Sequence, residues 1–348
     1  MSLPTIHLIA PAGSCQPFFD AIGIRSAAEL IAIVEEAVGQ GYQVSGSAAL
    51  IERGEDEAHG GRRDDRDRAA DIQQALADDG VVAVVLLRGG AWFTRVLPLI
   101  DFTVLDRRTR PVAVFGFSEL TTLVNIVGAS RHGLGIYDMG PAFLTYGLTR
   151  YAANRFKSDS RTAMRPRDWM LSHLRPELDA FFQDVIAMID GRGTGRSITG
   201  RVARGSIANR REATFVGGNL TVLSTLVGSP YEMSVRPEGR WLLLEDFNDK
   251  LERIDRFLAH LTLARYWDAC AGILLGDFHK GYEHLTRAVL GLLHFHVPPG
   301  RSVPILLTDH VGHVWPMSPL PLHVPMAIER TGPESFAIQW PAGALRVT

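Results

Sequence analysis

Cysteine is scarce: Cys15 and Cys270 are the only two in 348 residues. Without a CxxC pair there is no zinc knuckle, no dithiol redox motif and no disulfide framework, and a reducing compartment fits. An excess of charge of one sign is also missing. Lys and Arg number 36 against 38 Asp and Glu, for a net charge of −2. That balance lacks the basic surface a nucleic acid polymer requires. The charge run from Glu55 to Arg68 mixes both signs and reads as a solvated loop and helix start. Long apolar runs are absent too. Val81 to Leu87 is among the longest, far short of the roughly 20 residues that span a bilayer. The N-terminus carries no basic segment followed by an apolar one, so no signal peptide is read. These absences lead to the expectation of a soluble, cytoplasmic protein with neither membrane nor nucleic acid as partner.

Two cofactor classes drop out on motif grounds. The C-terminal half is rich in histidine (His279, His284, His294, His296, His310, His313, His323), yet no HExxH and no zinc-like Cys/His spacing occurs. Ala12-Gly13-Ser14 after the first strand lacks the GxGxxG pattern of a dinucleotide site. No metal and no cofactor are expected.

What is present is an ordinary globular balance, 46% hydrophobic and 21% charged. Strand-length apolar runs at Ile6–Ala10, Val81–Leu87 and Val112–Phe115 alternate with helical patterns. Ser26 with Glu29 forms a capping box ahead of Leu30, Ile33, Val34 and Val38 at helical spacing. Further helices are expected around 69–77 and from about Glu119 to Val127. Apolar strands separated by helices imply a parallel sheet covered on both faces, and hence an α/β domain over residues 1–145. Residues 146–211 show little β pattern. They read as a linker or insertion, with one amphipathic helix from Pro176 to Ile189. Residues 212–348 read as a second α/β domain with strands at Trp241–Leu244, Ala271–Leu275 and Val303–Leu307 and a long helix from about Asp249 to Tyr266.

Four segments carry residues able to do chemistry. Ser118 follows a buried strand through Gly116-Phe117 where a helix begins. There it can serve as a nucleophile next to helix-start amides or simply cap the helix. Leu120 stands where the second glycine of a GxSxG elbow would be. Arg88-Gly89-Gly90 ends a strand; it can bring amides and a guanidinium to an acidic ligand, or be a plain tight turn. Glu245-Asp246 ends another strand, where a carboxylate can orient an imidazole or sit in water. His313, in Asp309-His310-Val311-Gly312-His313, is a candidate general base or a structural histidine.

Taken in order, these segments resemble the serine peptidase family that contains LD-carboxypeptidases (muramoyltetrapeptide carboxypeptidases) and the microcin C immunity peptidases. The resemblance is carried by Ala10-Pro11, Leu87-Arg88-Gly89-Gly90, Gly116-Phe117-Ser118-Glu119-Leu120-Thr121, Gly217-Gly218-Asn219-Leu220, Gly228-Ser229-Pro230-Tyr231, Leu244-Glu245-Asp246 and Gly312-His313. It implies a flavodoxin-like N-terminal domain with a parallel sheet and a smaller C-terminal α/β domain. The first would supply Ser118, and the second Glu245 and His313. Ser118 would be the nucleophile, His313 the general base and Glu245 the carboxylate that orients it. The amides of Gly90 and Glu119 would form the oxyanion hole, and Arg88 with Gly89 would contact the substrate. A homodimer is implied as well.

Glu119 departs from the aspartate usual in the family. The long 146–211 segment and Gly140-Pro141-Ala142-Phe143-Leu144 lean towards the microcin branch, and Trp169 and Phe156 can stack on a base or pack locally. Three functions follow. The first is a carboxypeptidase that hydrolyses an L,D-amide next to a free carboxylate, releasing D-Ala from murein tetrapeptides in cell-wall recycling. The second is a hydrolase of acyl-aminonucleotide or peptide-nucleotide conjugates. The third is a non-catalytic binding protein.

Overall fold

The computed structural model describes residues 3–53, 64–141, 166–193, 196–280 and 283–340. The chain divides into two compact units. One gathers Met1–Phe115, Met139–Gly193 and Gly343–Thr348, the other Gly116–Asp138 and Thr194–Ala342.

In the first unit four strands lie parallel in the order β2-β1-β3-β4: β1 (Thr5–Ile9), β2 (Gln43–Gly46), β3 (Val81–Leu86) and β4 (Val112–Gly116). Every residue of β3 is buried, which is why it reads as an unbroken apolar run. The connections hold α1 (Gln16–Ile22), α2 (Ala27–Val38), α3 (Ala48–Glu52) and α4 (Asp65–Ala77). Ser26 caps α2 by accepting the Glu29 amide, while the Glu29 carboxylate accepts the Arg25 amide one residue outside the usual box.

A helix α6 (Pro166–Ile189) also belongs to this unit and begins ten residues before the proline that the sequence suggested as its start. Pro176 lies inside it. The helix turns Phe182, Val185 and Ile189 inward and is tied to α2 by Gln183, whose amide donates to the Ala37 carbonyl at 2.6 Å. Residues 142–165 lie outside the described part, and with them Phe156 and Ala142-Phe143-Leu144. The Trp169 side chain is likewise not described.

The second unit contains α5 (Thr121–Gly128) and β5 (Gly133–Tyr137), the latter antiparallel to β12 (Leu320–Leu322). Its main sheet joins β6 (Ile198–Arg204), β7 (Arg210–Asn219), β8 (Trp241–Phe247), β9 (Gly272–Lys280), β10 (Glu283–His284), β11 (Ile305–Leu307), β13 (Pro325–Arg330) and β14 (Ser335–Gln339) in the order β10-β9-β11-β6-β14-β13-β7-β8. A further pairing of β9 with β8 closes the path from β9 to β8 on itself and leaves the two-residue β10 at an edge. The strand β6 lies within residues 146–211, where the sequence shows little β pattern. Its isoleucine-poor, arginine-containing sequence hides the alternation that burial on one face would produce. Helices α7 (Leu220–Ser224), α8 (Leu251–Leu263) and α9 (Thr286–His296) complete the unit.

Within the sheet, β7, β8, β9 and β11 run parallel, so their C-terminal ends share one edge, the usual address of a ligand site in α/β folds. The segment 116–138 is locked to β7 by Asn125. Its side-chain amide donates to the Gly217 carbonyl at 2.8 Å, and its side-chain oxygen accepts the Gly217 amide at 2.9 Å.

Two polar groups test how this framework is held. The guanidinium of Arg108, 4% exposed, donates to the carbonyls of Leu76, Asp78, Val81 and Arg110 at 2.7–2.9 Å, stapling the chain around the start of β3. Arg108→Met leaves those carbonyls without their donor, and chemical denaturation should show a loss of about 3 kcal/mol. In the second unit, His323 accepts a hydrogen bond from Arg240 at 3.1 Å. Burial first, then the Arg240 charge, lower its pKa from 6.5 to about 4. The unfolded chain therefore takes up a proton below 6.5 that the folded chain refuses until about 4. This linkage removes up to roughly 3 kcal/mol of stability as pH falls through that window. Position 323 has φ +61°, which asparagine tolerates. His323→Asn should flatten that part of the stability–pH curve.

Candidate active site

Ser118 sits at the turn between β4 and α5, in a single 3-10 turn Ser118–Leu120. Its φ is +55°, left-handed backbone that a non-glycine residue adopts only when its surroundings hold it there. Three contacts do so. The Ser118 carbonyl accepts the Thr121 hydroxyl at 2.7 Å, the Ser118 amide donates to the Tyr137 hydroxyl at 3.2 Å, and the Leu120 amide closes the turn onto Phe117 at 3.0 Å. The Thr121 hydroxyl in turn accepts the Asn219 amide at 3.0 Å, linking the turn to the end of β7.

Glu245 is fully buried on β8, opposite Asn219 of β7. The sequence placed it just past a strand; the strand in fact continues through Phe247. Because neighbouring side chains on a strand point to opposite faces, Glu245 and Asp246 serve different purposes. Asp246 accepts the Thr221 amide at 2.9 Å and its hydroxyl at 2.8 Å, at the start of α7. Burial, then the Glu245 charge, push the Asp246 carboxyl up to about 6 against those hydrogen bonds. Glu245 points instead to Tyr137, whose hydroxyl donates to Oε1 at 2.6 Å, and to His313, whose Nδ1 lies 2.7 Å from Oε2.

His313 follows β11 in a loop whose Gly312 has φ +116°. A Cβ at Gly312 would stand 3.1 Å from Glu245 Oε2, so the glycine admits the carboxylate. The imidazole lies against Phe247, stacked at 4.8 Å, and Phe117, tilted at 5.0 Å. Its Nε2 is 3.2 Å from Ser118 Oγ. With a proton on Nδ1 shared with the carboxylate, Nε2 is an acceptor aimed at the serine hydroxyl. The arrangement can remove the Ser118 proton as the oxygen attacks a carbonyl and return it to a leaving amine. Asp277 on β9 adds a nearby acid, raised by burial and by Glu245 and lowered by His284 and His279.

Ser118, Glu245 and His313 are thus brought together, all within the second unit. Glu119 adjoins Ser118 at the start of the 3-10 turn. The Arg88-Gly89-Gly90 turn belongs to the first unit. There Arg88 donates to the Ser14 carbonyl, Gly89 accepts the Gly13 amide at 3.0 Å, and a Cβ on Gly90 would meet that same amide at 2.6 Å. The two glycines accommodate a neighbouring loop of the chain. The sequence motifs include Phe117 and Thr121 without giving them a role, and they leave out Tyr137, Asn125 and Phe247 altogether. Tyr137 is the polar end of the otherwise apolar stretch Gly133–Tyr137. Among the described residues no group of three or more His, Cys, Asp and Glu is arranged to hold a metal, and no helix is long and apolar enough to cross a membrane.

The LD-carboxypeptidase N-terminal domain matches residues 6–136, and the LD-carboxypeptidase C-terminal domain matches 212–328. The putative carboxypeptidase SCO6489 of Streptomyces coelicolor is 30% identical over 269 residues, 76% of this chain and 74% of the relative. The probable murein peptide carboxypeptidase of Bacillus subtilis is 26% identical over 273 residues, 74% of this chain and 72% of the relative. The structure of the microcin C7 self immunity protein MccF in complex with aspartyl sulfamoyl adenosine shares the fold, with a TM-score of 0.65 at 16% identity over 98% of both chains. Matched in order across both its halves, and sharing 30% identity with a relative covered over 74% of its length, the chain belongs to the LD-carboxypeptidase family of serine peptidases.

Proposed function

We propose that the chain is a cytoplasmic carboxypeptidase that hydrolyses the L,D-amide next to a free carboxylate, releasing D-Ala from murein tetrapeptides during cell-wall recycling. The observation that carries this reading is the placement of His313 between Glu245 at 2.7 Å and Ser118 at 3.2 Å, on the fold of a murein peptidase family.

Ser118 Oγ attacks the carbonyl carbon of the scissile amide while His313 Nε2 takes its proton. The oxyanion that forms is met by the main-chain amides of Glu119 and Gly90 in this reading, and Arg88 answers the substrate's carboxylate. The tetrahedral adduct collapses, the C–N bond breaks, and the imidazolium proton passes to the departing amine of D-Ala. Water, deprotonated by His313, then attacks the acyl-serine ester. The proton returns to Ser118 Oγ, the peptide carboxylate leaves, and the enzyme is regenerated. Glu245 holds the Nδ1–H tautomer and balances the imidazolium charge. No metal or cofactor enters this chemistry. A homodimer completes the reading of the family resemblance.

A second reading assigns the same chemistry to acyl-aminonucleotide or peptide-nucleotide conjugates. It is favoured by the fold shared with the microcin immunity protein over 98% of both chains. A non-catalytic binding role is the third.

Incubation with L-Ala-γ-D-Glu-meso-diaminopimelate-D-Ala, followed by mass spectrometry, separates the three. Release of D-Ala is expected from the wild type, with a loss of about 10⁴-fold or more in Ser118→Ala. Cleavage of nucleotide conjugates without D-Ala release would select the second reading. Undiminished hydrolysis by Ser118→Ala would contradict both enzymatic ones.

A further inference from the structure

Tyr137 ends β5 with its side chain fully buried. Its hydroxyl touches two parts of the triad at once. It donates to Glu245 Oε1 at 2.6 Å and accepts the Ser118 amide at 3.2 Å. Burial, followed by the adjacent Glu245 charge, holds the phenol well above its ordinary value of 10, so it remains a proton donor throughout the working range of a serine hydrolase. The ring has a fitted seat, since a Cβ on Gly218 would stand 2.5 Å from Tyr137 Cε2. The two oxygens of Glu245 are therefore divided, Oε2 to His313 and Oε1 to Tyr137.

We propose that Tyr137 is a positioning residue for the hydrolytic reaction: its hydroxyl fixes the Glu245 carboxylate and the left-handed Ser118 turn in one frame and sets the proton affinity of the Glu245–His313 pair. This inference rests on the triad reading above. A neutral donor on Oε1 draws charge away from the carboxylate and so limits how strongly it stabilises the imidazolium. Loss of that donor leaves a more basic, fully buried carboxylate. The pair then binds its proton more tightly, and more of the enzyme is held in a form whose Nε2 cannot accept from Ser118. Among the described residues, charge also reaches Glu245 from Asp246, on the other face of the same strand, and from Asp277 on β9, which His279 and His284 accompany. All of these remain when Tyr137 is changed, so they do not cancel the effect.

Tyr137→Phe preserves the ring and removes only the hydroxyl. Steady-state hydrolysis of the tetrapeptide should show kcat reduced about 10- to 100-fold with KM changed by less than about twofold, the pattern of an interaction used in the chemical step. The acid limb of the kcat/KM–pH profile should move upward by about one unit. Replacement by 3-fluorotyrosine, a stronger donor of nearly the same shape, should keep kcat and move the acid limb downward. It decides the matter even if Tyr137→Phe fails to fold. An acid limb unmoved in both variants, or a Tyr137→Phe enzyme with wild-type kcat, overturns the inference. If Ser118→Ala is inactive while Tyr137→Phe behaves as wild type, this inference alone falls. If Ser118→Ala keeps its activity, the triad reading falls with it.

Discussion

The constraint on which the site depends is the complete burial of the Glu245 carboxylate. A charge without water is costly unless its oxygens are met by donors in good geometry. Here the two oxygens are answered by side chains from two distant segments, Tyr137 and His313. Both segments are placed by the framework. Tyr137 arrives with the 116–138 segment, which Asn125 clamps to Gly217. His313 arrives on the loop after β11, where Gly312, at φ +116°, keeps a side chain from crowding the carboxylate. Satisfying one buried acid therefore brings the Ser118 turn, His313 and their support together.

Parallel strands β7, β8 and β9 present Asn219, Glu245 and Asp277 towards the same edge. The aromatic rings of Phe117 and Phe247 both pack against the imidazole. Neighbouring positions divide the labour: Glu245 faces the histidine, while Asp246 ties β8 to the start of α7 through Thr221. Ser118 is held in left-handed backbone by contacts with Thr121 and Tyr137. Strain of that kind persists where surrounding structure fixes it.

Much of this was legible in the sequence, and the exceptions have physical reasons. The strand cores at Ile6, Val81, Val112, Trp241 and Ile273 stand out because strands buried on both faces are apolar throughout. The extension of β8 through Glu245 and Asp246 was hidden because a buried carboxylate looks, in sequence, like the polar end of a strand. Strand β6 and the ring closure through β13 and β14 were hidden because short antiparallel strands with solvated arginines carry little pattern. The start of α6 was misplaced because Pro176 resembles a first-turn proline, although the helix runs through it. Ser118, Glu245 and His313 were found as separate weak candidates. What joined them was the resemblance of their ordered motifs to one family. Tyr137 stands outside those motifs, and its role depends on contacts with residues 19 and 108 positions away along the chain.

In the proposed mechanism His313, oriented by Glu245, makes Ser118 nucleophilic. Covalent labelling with an alkyl fluorophosphonate, read by mass spectrometry of the intact protein and its peptides, tests it without assuming a substrate. A single adduct on Ser118 is expected in the wild type, suppressed in a folded His313→Ala variant. An adduct on another residue, or equal labelling of Ser118 with and without His313, would contradict it.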